Sequence, residues 1–429
     1  METHNTEQVV IVGAGAAGLW AAIVCARRGA RVLLLEKTKR TGTKILASGG
    51  SRCNLTTTLG SEAAGQLYGV QGARFLRPSL RMLSPQDVVD AFESWGVPCV
   101  QAPLEKIFPE SQKAKDVRDA LEHEARESGV EIRLECALES VQKEANGEYA
   151  LQLVNGERLQ CATLVLAVGG KSYASTGTCG DGYAWLQSLD LNLVAPVPAL
   201  VPLRSDETWV QELSGIAIQD AEVRLLDDKG KEVMRRRRPV IFTHKGLSGP
   251  AAMDVSGMVA RALEQAQFDN RAPSFLLAID LCASTSRDQL RAELIEASRA
   301  SGSPRLARAL GAQFPRRIVD AVCSQAGIEP NPPIASVTKA QRHALVEAFK
   351  GLKVEIDGTL GYDQAEVTGG GLQLNELNPH TLEVKKHPGL YVIGELLDVQ
   401  GPIGGFNFQS AFATAQVAAE HICARKTAQ

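Results

Sequence analysis

The chain is poor in several features that mark whole classes of protein. Its nine cysteines, from Cys25 to Cys423, include no Cys-x-x-Cys pair. That argues against a structural zinc site and against a disulfide framework, and it suits a reducing cytoplasm. The histidines and cysteines show no metal-ligand spacing, so no metal is expected. No Gly-x-x-x-x-Gly-Lys-[Ser/Thr] loop is present, which weighs against ATP or GTP hydrolysis. Aromatic residues make up only 5% of the chain and do not interleave with the arginine-rich run at 235–238, which weakens a platform that stacks single-stranded bases. A net charge of -3 over 429 residues gives no global polyanion-binding signature. The opening residues Met1 to Gln8 are polar, without the charged and apolar regions of a signal peptide. No apolar run has the length and flanks of a membrane span, so no membrane partner is expected.

What is present begins at Val9-Val10-Ile11-Val12, apolar enough for a buried parallel strand. Gly13-Ala14-Gly15-Ala16-Ala17-Gly18 follows, then Leu19-Trp20-Ala21-Ala22 in helical style, then a second apolar strand, Arg31-Val32-Leu33-Leu34-Leu35, ending in Glu36. This is a dinucleotide-binding fingerprint in its expected setting. Gly13 permits the tight turn, Gly15 lets backbone approach a pyrophosphate, and Gly18 lets helix pack on strand. The phosphate charge belongs at the helix N-terminus, where N–H groups lack partners. Glu36 falls about 20 residues on, where a carboxylate can accept from ribose hydroxyls.

Further along, Ser84 to Trp95 and Ala114 to Ser128 have helical spacing, with Ser84 placed to cap a helix opening at Pro85. Glu131 to Val154 reads as short strands around a turn at Ala145 to Glu148. Thr163 to Val168 is an all-apolar strand ending in Gly169-Gly170. Pro196, Pro198 and Pro202 suggest a linker. Antiparallel strands are expected beyond it, with a hairpin at Asp227-Asp228-Lys229-Gly230. Arg287 to Lys350 is helical in about three pieces. From Gly369 the glycine-rich, apolar style returns, with a strand at Gly389 to Ile393 and a long helix from Phe406 to Cys423.

The expected architecture is α/β. A split nucleotide-binding domain from residues 1–195 and 369–429 would carry an inserted β domain (196–285, returning at 351–368) and a small helical insertion (286–350).

Three stretches resemble a known family. They are Gly42-Thr43-Lys44-Ile45-Leu46-Ala47-Ser48-Gly49-Gly50-Ser51-Arg52-Cys53-Asn54-Leu55-Thr56, Phe242-Thr243-His244-Lys245-Gly246-Leu247-Ser248-Gly249-Pro250, and a third in pieces. The third comprises Val367 to Gly371, Gly394-Glu395-Leu396-Leu397-Asp398, and Gly404-Gly405-Phe406-Asn407-Phe408-Gln409. Together they are similar to the BaiN/RdsA-type bacterial NAD(P)/FAD-dependent flavoproteins.

The resemblance implies one tightly bound FAD, a split Rossmann-like FAD-binding domain, a β-barrel-like domain and a helical insertion. It puts Gly13, Gly15, Ala16, Ala17 and Gly18 at the pyrophosphate and Glu36, with Lys37, at the adenosine ribose. Lys44, Ser48, Gly49, Arg52, Cys53 and Asn54 map onto the loop lining the flavin. Leu138 would offer backbone to adenine, and Ala167, Val168 and Gly169 would cross back near the cofactor. Gly394, Glu395 and Asp398 match the second FAD-binding turn. Gly404, Gly405 and Asn407 would cap the last helix near the flavin pyrimidine, where a glycine-opened N-terminus stabilises negative charge. Two positions depart from the family pattern: Ser51 stands where glycine is usual, and Thr57 where Asn or His is frequent.

Several side chains have two readings. Arg52 could contact the cofactor or an anionic substrate, or tie its loop to a carboxylate. Cys53 could be an acid or redox partner, or a small core filler. His244 could donate a proton, or make a structural hydrogen bond in a glycine-punctuated loop. The run Arg235 to Arg238 could be a phosphate-binding stripe for RNA, or the solvated edge of a hairpin. The expected activity is reduction of an activated C=C bond, with NAD(P)H as a transient donor. The substrate would be a uridine in 23S ribosomal RNA or a small molecule such as an unsaturated steroid acid. A non-catalytic flavin sensor that binds a protein partner is the rival.

Overall fold

A computed structural model describes residues 3–4, 8–227, 229–268, 275–299 and 301–427. Residue contacts divide the chain into two compact units. One comprises the chain up to Pro198 and from Tyr362 onward; the other is Ala199–Gly361.

The first unit is built on a five-stranded sheet. Its order is Leu390–Val392, Thr163–Leu166, Val9–Val12, Val32–Leu35, Glu131–Arg133, with parallel pairing throughout. The inner strands are buried on both faces, and their unbroken Val, Leu and Ile runs reflect that. One edge strand comes from the C-terminal segment, so the domain is split in sequence and closed in space. The helix Ala16–Arg27 follows the first strand and packs against the last helix, Phe406–Thr427. Trp20 on the first helix meets Phe412 on the last at 4.9 Å between ring centroids. A second sheet, ordered Thr3–His4, Arg158–Cys161, Tyr149–Leu153, Leu138–Lys143, and a third, ordered Thr56–Thr57, Lys106–Pro109, Cys99–Ala102, lie in the same unit. Among the described residues no helix is long and apolar enough to cross a membrane.

The second unit holds two antiparallel sheets. Five short strands order as Ala217–Ile218, Val240–Thr243, Gly246–Ser248, Leu203–Arg204, Gly358–Thr359; four longer ones as Glu232–Arg237, Glu222–Leu226, Phe275–Asp280, Leu352–Ile356. The helices Pro250–Phe268, Arg287–Ser298, Arg316–Gln325 and Lys339–Phe349 belong to this unit, which has its own apolar core.

Two local expectations change and a third holds. Pro196 and Pro198 do not mark a linker; they lie inside the strand Leu193–Ala199, paired with Val367–Leu372. A two-stranded ribbon leaves each strand one open edge, where a residue without an N–H costs nothing. The Phe242 to Pro250 segment is not a loop. Val240–Thr243 and Gly246–Ser248 form a hairpin with only His244 and Lys245 at its tip. Gly246, at φ 131°, lies so close to the Leu203–Arg204 strand that a Cβ would overlap Leu203 O. The hairpin expected at Asp227 to Gly230 joins Glu222–Leu226 to Glu232–Arg237, although Asp228 itself lies outside the described residues.

Candidate functional site

The first turn is held by backbone. Gly13 N–H donates to Leu35 O (2.8 Å), and Gly42 N–H to Ala14 O (2.8 Å). Gly13 has φ 101°, and a Cβ there would lie 2.6 Å from Ala167 O. Gly15 differs: a Cβ would meet nothing within 4 Å. Gly15 is also the N-cap of Ala16–Arg27, which has no side-chain cap and no acidic residue in its first turn. The amides of Ala16 and Ala17 therefore begin a helix end without a protein acceptor, beside open space. That is the physical requirement for an anion.

Glu36 pins this turn. Its carboxylate accepts from Ala14 N–H (2.9 Å) and Thr38 N–H (2.8 Å), one on each oxygen. Each oxygen retains acceptor capacity for a hydroxyl. The segment leading to Leu138 runs alongside, with Cys136 N–H donating to Glu36 O and Glu135 N–H to Thr38 O. Leu138 begins its strand with its side chain buried. Lys37 forms an ion pair with Asp181. Ala167 continues the central strand, its N–H donating to Val12 O (2.9 Å), and Val168 leads into Gly169 at φ 74°.

Lys44 lies in the short helix Thr43–Ala47 rather than on a loop. Its Nζ contacts Glu395 Oε2 (2.6 Å), Glu395 Oε1 (2.9 Å) and Ser172 Oγ (2.7 Å). Glu395 Oε1 also accepts from Thr368 N–H (2.8 Å), and Thr368 Oγ1 accepts from Lys171 N–H (2.7 Å). Sequence reasoning named Lys44 and Glu395 but missed Ser172 and Thr368; the Thr368-Gly369-Gly370-Gly371 run was the available signal. It also missed Glu366, which precedes that strand. Burial raises the Glu366 carboxyl above its ordinary range, opposed by the charges of Lys106 and Lys44.

The loop after Ala47 is conformationally costly. Gly49 and Gly50 have positive φ, and so do Ser51 (67°) and Cys53 (59°), which are not glycine. Ser48 Oγ donates to Ile45 O and Ser48 O accepts from Cys53 N–H, closing the loop on itself. Arg52 donates to Gly49 O and lies 4.9 Å from the Phe108 ring centroid. It has no carboxylate partner among the described residues, so tying the loop leaves its charge uncompensated. Cys53 is fully buried, and burial pushes its thiol up to about 12. Burial thus favours the protonated thiol, which fits the core-filler and the acid readings and disfavours a thiolate redox partner.

The C-terminal motif meets this loop. With its amide oriented to satisfy both ends, Asn54 accepts from Gly405 N–H (2.9 Å) and donates to Thr56 O (3.2 Å). Thr56 Oγ1 in turn donates to Gln409 Oε1 (2.7 Å). Asn407 clamps Gly401, accepting from its N–H (2.9 Å) and donating to its O (3.1 Å). Gly404 and Gly405 have φ of 140° and 84°, and a Cβ on Gly405 would overlap Thr56 O. Gly394 packs against Ala17, and Asp398 N–H donates to Leu372 O (3.0 Å). Asn54 and Asn407 thus act on backbone.

His244 stands at an exposed hairpin tip in the other unit. The arginine run lies on an edge strand of the four-stranded sheet and just beyond it. Arg235 pairs with Glu232 (2.8 Å), Arg237 with Asp220 (2.8 Å), and Arg236 points at Asp254 (3.7 Å). Arg238 also has a partner. Their charge is largely met by carboxylates, which favours the edge-strand reading over a phosphate stripe. Among the described residues no group of three or more His, Cys, Asp or Glu side chains could hold a metal ion.

Tyr183 Oη and Gln400 Oε1 are among the buried side-chain atoms that have no hydrogen-bond partner among the described residues. Tyr183 sits within the field of Glu395 and Asp398, and burial raises its hydroxyl well above the usual tyrosine range.

A split parallel sheet with this turn defines a Rossmann-type dinucleotide-binding protein. Residues 7–421 match the HI0933-like protein Rossmann domain family, and the chain belongs to it. The kinship with BaiN/RdsA-type oxidoreductases extends along the whole chain. The chain is 32% identical, over 97% of its length and 98% of the relative's, to an Escherichia coli (strain K12) protein named ribosomal RNA dihydrouridine synthase. It is 31% identical, over 96% and 98%, to a Clostridium scindens protein named 3-dehydro-bile acid delta(4,6)-reductase. Among solved structures, the 3-ketosteroid-delta4-(5alpha)-dehydrogenase of Rhodococcus jostii RHA1 shares the fold at TM-score 0.51 and 14% identity. That likeness covers 99% of this chain and 98% of that one.

Proposed function

We propose that the protein is a FAD-dependent oxidoreductase that takes electrons from NADPH or NADH and saturates an activated C=C bond. A uridine of 23S ribosomal RNA is the favoured substrate. The observation carrying the flavin assignment is the open, uncapped helix end at Gly15, with Glu36 fixed beside it. The substrate class rests on the end-to-end likeness to the E. coli relative. The 31% likeness to the bile acid reductase supports the second reading, an unsaturated steroid acid. The absence of any disulfide among the nine cysteines suits a cytoplasmic setting.

Gly13, Gly15 and Gly18, with the Ala16 and Ala17 amides, would hold the pyrophosphate. Glu36 would take the adenosine ribose and the Leu138 backbone the adenine. Lys44, Ser48, Gly49 and Asn54 would line the flavin side. Gly394, Glu395 and Asp398 would take the ribityl side, and the Gly404-Gly405 amides the pyrimidine. Bound there, FAD supplies hydride chemistry that side chains cannot. Overall the substrate bond gains a hydride and a proton while the nicotinamide donor is oxidised. The chain's own share is charge and position. Lys44, held by Glu395 and Ser172, keeps a cation fixed, and Arg52 offers an uncompensated guanidinium to an anionic group.

The test is the absorption spectrum of the purified protein, then anaerobic titration with NADPH and NADH, then nucleoside analysis of 23S ribosomal RNA from a deletion strain. Bleaching of flavin bands and loss of one dihydrouridine support the proposal. Bleaching with RNA unchanged moves the substrate to a small molecule. A flavin inert to both nucleotides supports the sensor reading, and failure to take up FAD removes the assignment.

A further inference from the structure

Arg235, Arg236 and Arg237 are paired with carboxylates, but another set of arginines is not. Helix Gly69–Met82 carries Arg74, Arg77 and Arg81, spaced i, i+3 and i+7. At 3.6 residues per turn these fall within an arc of about 60°, along roughly 10 Å of helix. All three are exposed, and among the described residues none of their side chains has a hydrogen bond or an ion pair. The opposite face is apolar and buried through Phe75, Leu76 and Leu80, so the arginine face is fixed outward by packing.

The helix is anchored beside the candidate site. Tyr68, its N-cap, donates from its hydroxyl to Phe406 O (2.6 Å), and its ring meets that of Phe406 edge-on. A Cβ on Gly401 would lie 3.0 Å from the Tyr68 ring. Phe406 opens the last helix directly after Gly404 and Gly405. The helix that carries the stripe therefore starts from the same turn that is assigned to the flavin.

We propose that the Arg74, Arg77 and Arg81 face is the track for the RNA sugar-phosphate backbone of the substrate. This rests on the ribosomal RNA reading given above. Arginine forks match phosphate oxygens two at a time. No neighbouring carboxylate competes for them, in contrast to Arg235 and Arg237. The chain's net charge of -3 makes an uncompensated triplet a local feature.

The test compares the full-length protein with the triple variant Arg74→Gln/Arg77→Gln/Arg81→Gln and with Arg235→Gln/Arg237→Gln, using transcribed 23S ribosomal RNA between about 50 and 200 mM salt. Each phosphate contact contributes roughly 0.7–0.9 to the slope of log affinity against log salt. The triple variant is expected to lose about 2 from that slope and at least tenfold in affinity at 150 mM salt, with its melting temperature and flavin uptake unchanged. The strand variant is expected to keep the wild-type slope. A triple variant that binds RNA with the wild-type slope overturns the track while leaving the RNA reading intact. A wild-type protein that binds no RNA at any salt overturns both. Displacement of the RNA by polyglutamate at equal charge would make the face a site for acidic polypeptide and overturn the proposal.

Discussion

A methyl group added at Gly18 would overlap the carbonyl oxygen of Gly13, whereas one added at Gly15 meets nothing within 4 Å. The two glycines share a motif, yet their substitutions should separate fold from function. Gly18→Ala must move backbone, which outweighs the helix propensity it gains, and should cost about 1–3 kcal/mol. Gly15→Ala should leave the stability of the flavin-free protein within about 0.5 kcal/mol of wild type. It should nonetheless weaken FAD uptake at least tenfold, because the methyl fills the space a pyrophosphate needs. Thermal melts and flavin titration of both variants check this, and equal melting losses would refute it. Glu366 tests electrostatics at the same scale. Its carboxyl is raised in the folded chain, chiefly by burial. The fold therefore favours the protonated form, and stability is lost as pH climbs from the ordinary glutamate range, about 4.3, through the raised folded value. Glu366→Gln removes that loss. The variant should match wild type near pH 4 and gain in melting temperature toward pH 7. A difference independent of pH would show that burial of the charge is not the cause.

Among the described residues, three helices open with reciprocal capping. Ser84 with Asp87, Ser286 with Gln289, and Thr338 with Gln341 each satisfy two amides that the helix itself cannot. Ser286→Ala and Thr338→Ala should each cost about 1 kcal/mol, read as lower denaturant midpoints with an unchanged slope. At this scale the sequence was legible wherever local chemistry decides. The apolar run Val9–Val12, the cap at Ser84 and the glycine turn at Gly13 report their own structure. Legibility failed where a distant partner decides. Pro196 and Pro198 look like a linker until Val367–Leu372 supplies the other strand. Arg235 to Arg237 look like a phosphate stripe until Glu232, Asp220 and Asp254 come alongside. Ser172 became visible only when folding brought Lys44 to Glu395.

The site follows the same division at the scale of the molecule. Its first half is written in one local motif, and its second half arrives some 350 residues later, through a strand that pairs with Thr163–Leu166 and a helix that packs on Ala16–Arg27. Asn54 and Gln409, on either side of the insertion, join the halves through Gly405 and Thr56. The insertion itself, Ala199–Gly361, buries its apolar residues in a core of its own, including Val240, Phe242, Leu277, Ile318 and Phe349. It should therefore fold when expressed alone, with a single cooperative transition and no flavin uptake. A chain ending at Pro198 should not fold to a flavin-binding state, because it lacks the edge strand Leu390–Val392 and leaves Trp20 without Phe412. Adding residues 362–429 as a separate polypeptide should restore uptake in part. Heteronuclear NMR spectra of the isolated insertion, with flavin fluorescence of the two-piece mixture, decide the matter. A disordered insertion, or a 1–198 fragment that binds FAD unaided, would mean that the two units depend on each other for folding or that the C-terminal half is dispensable.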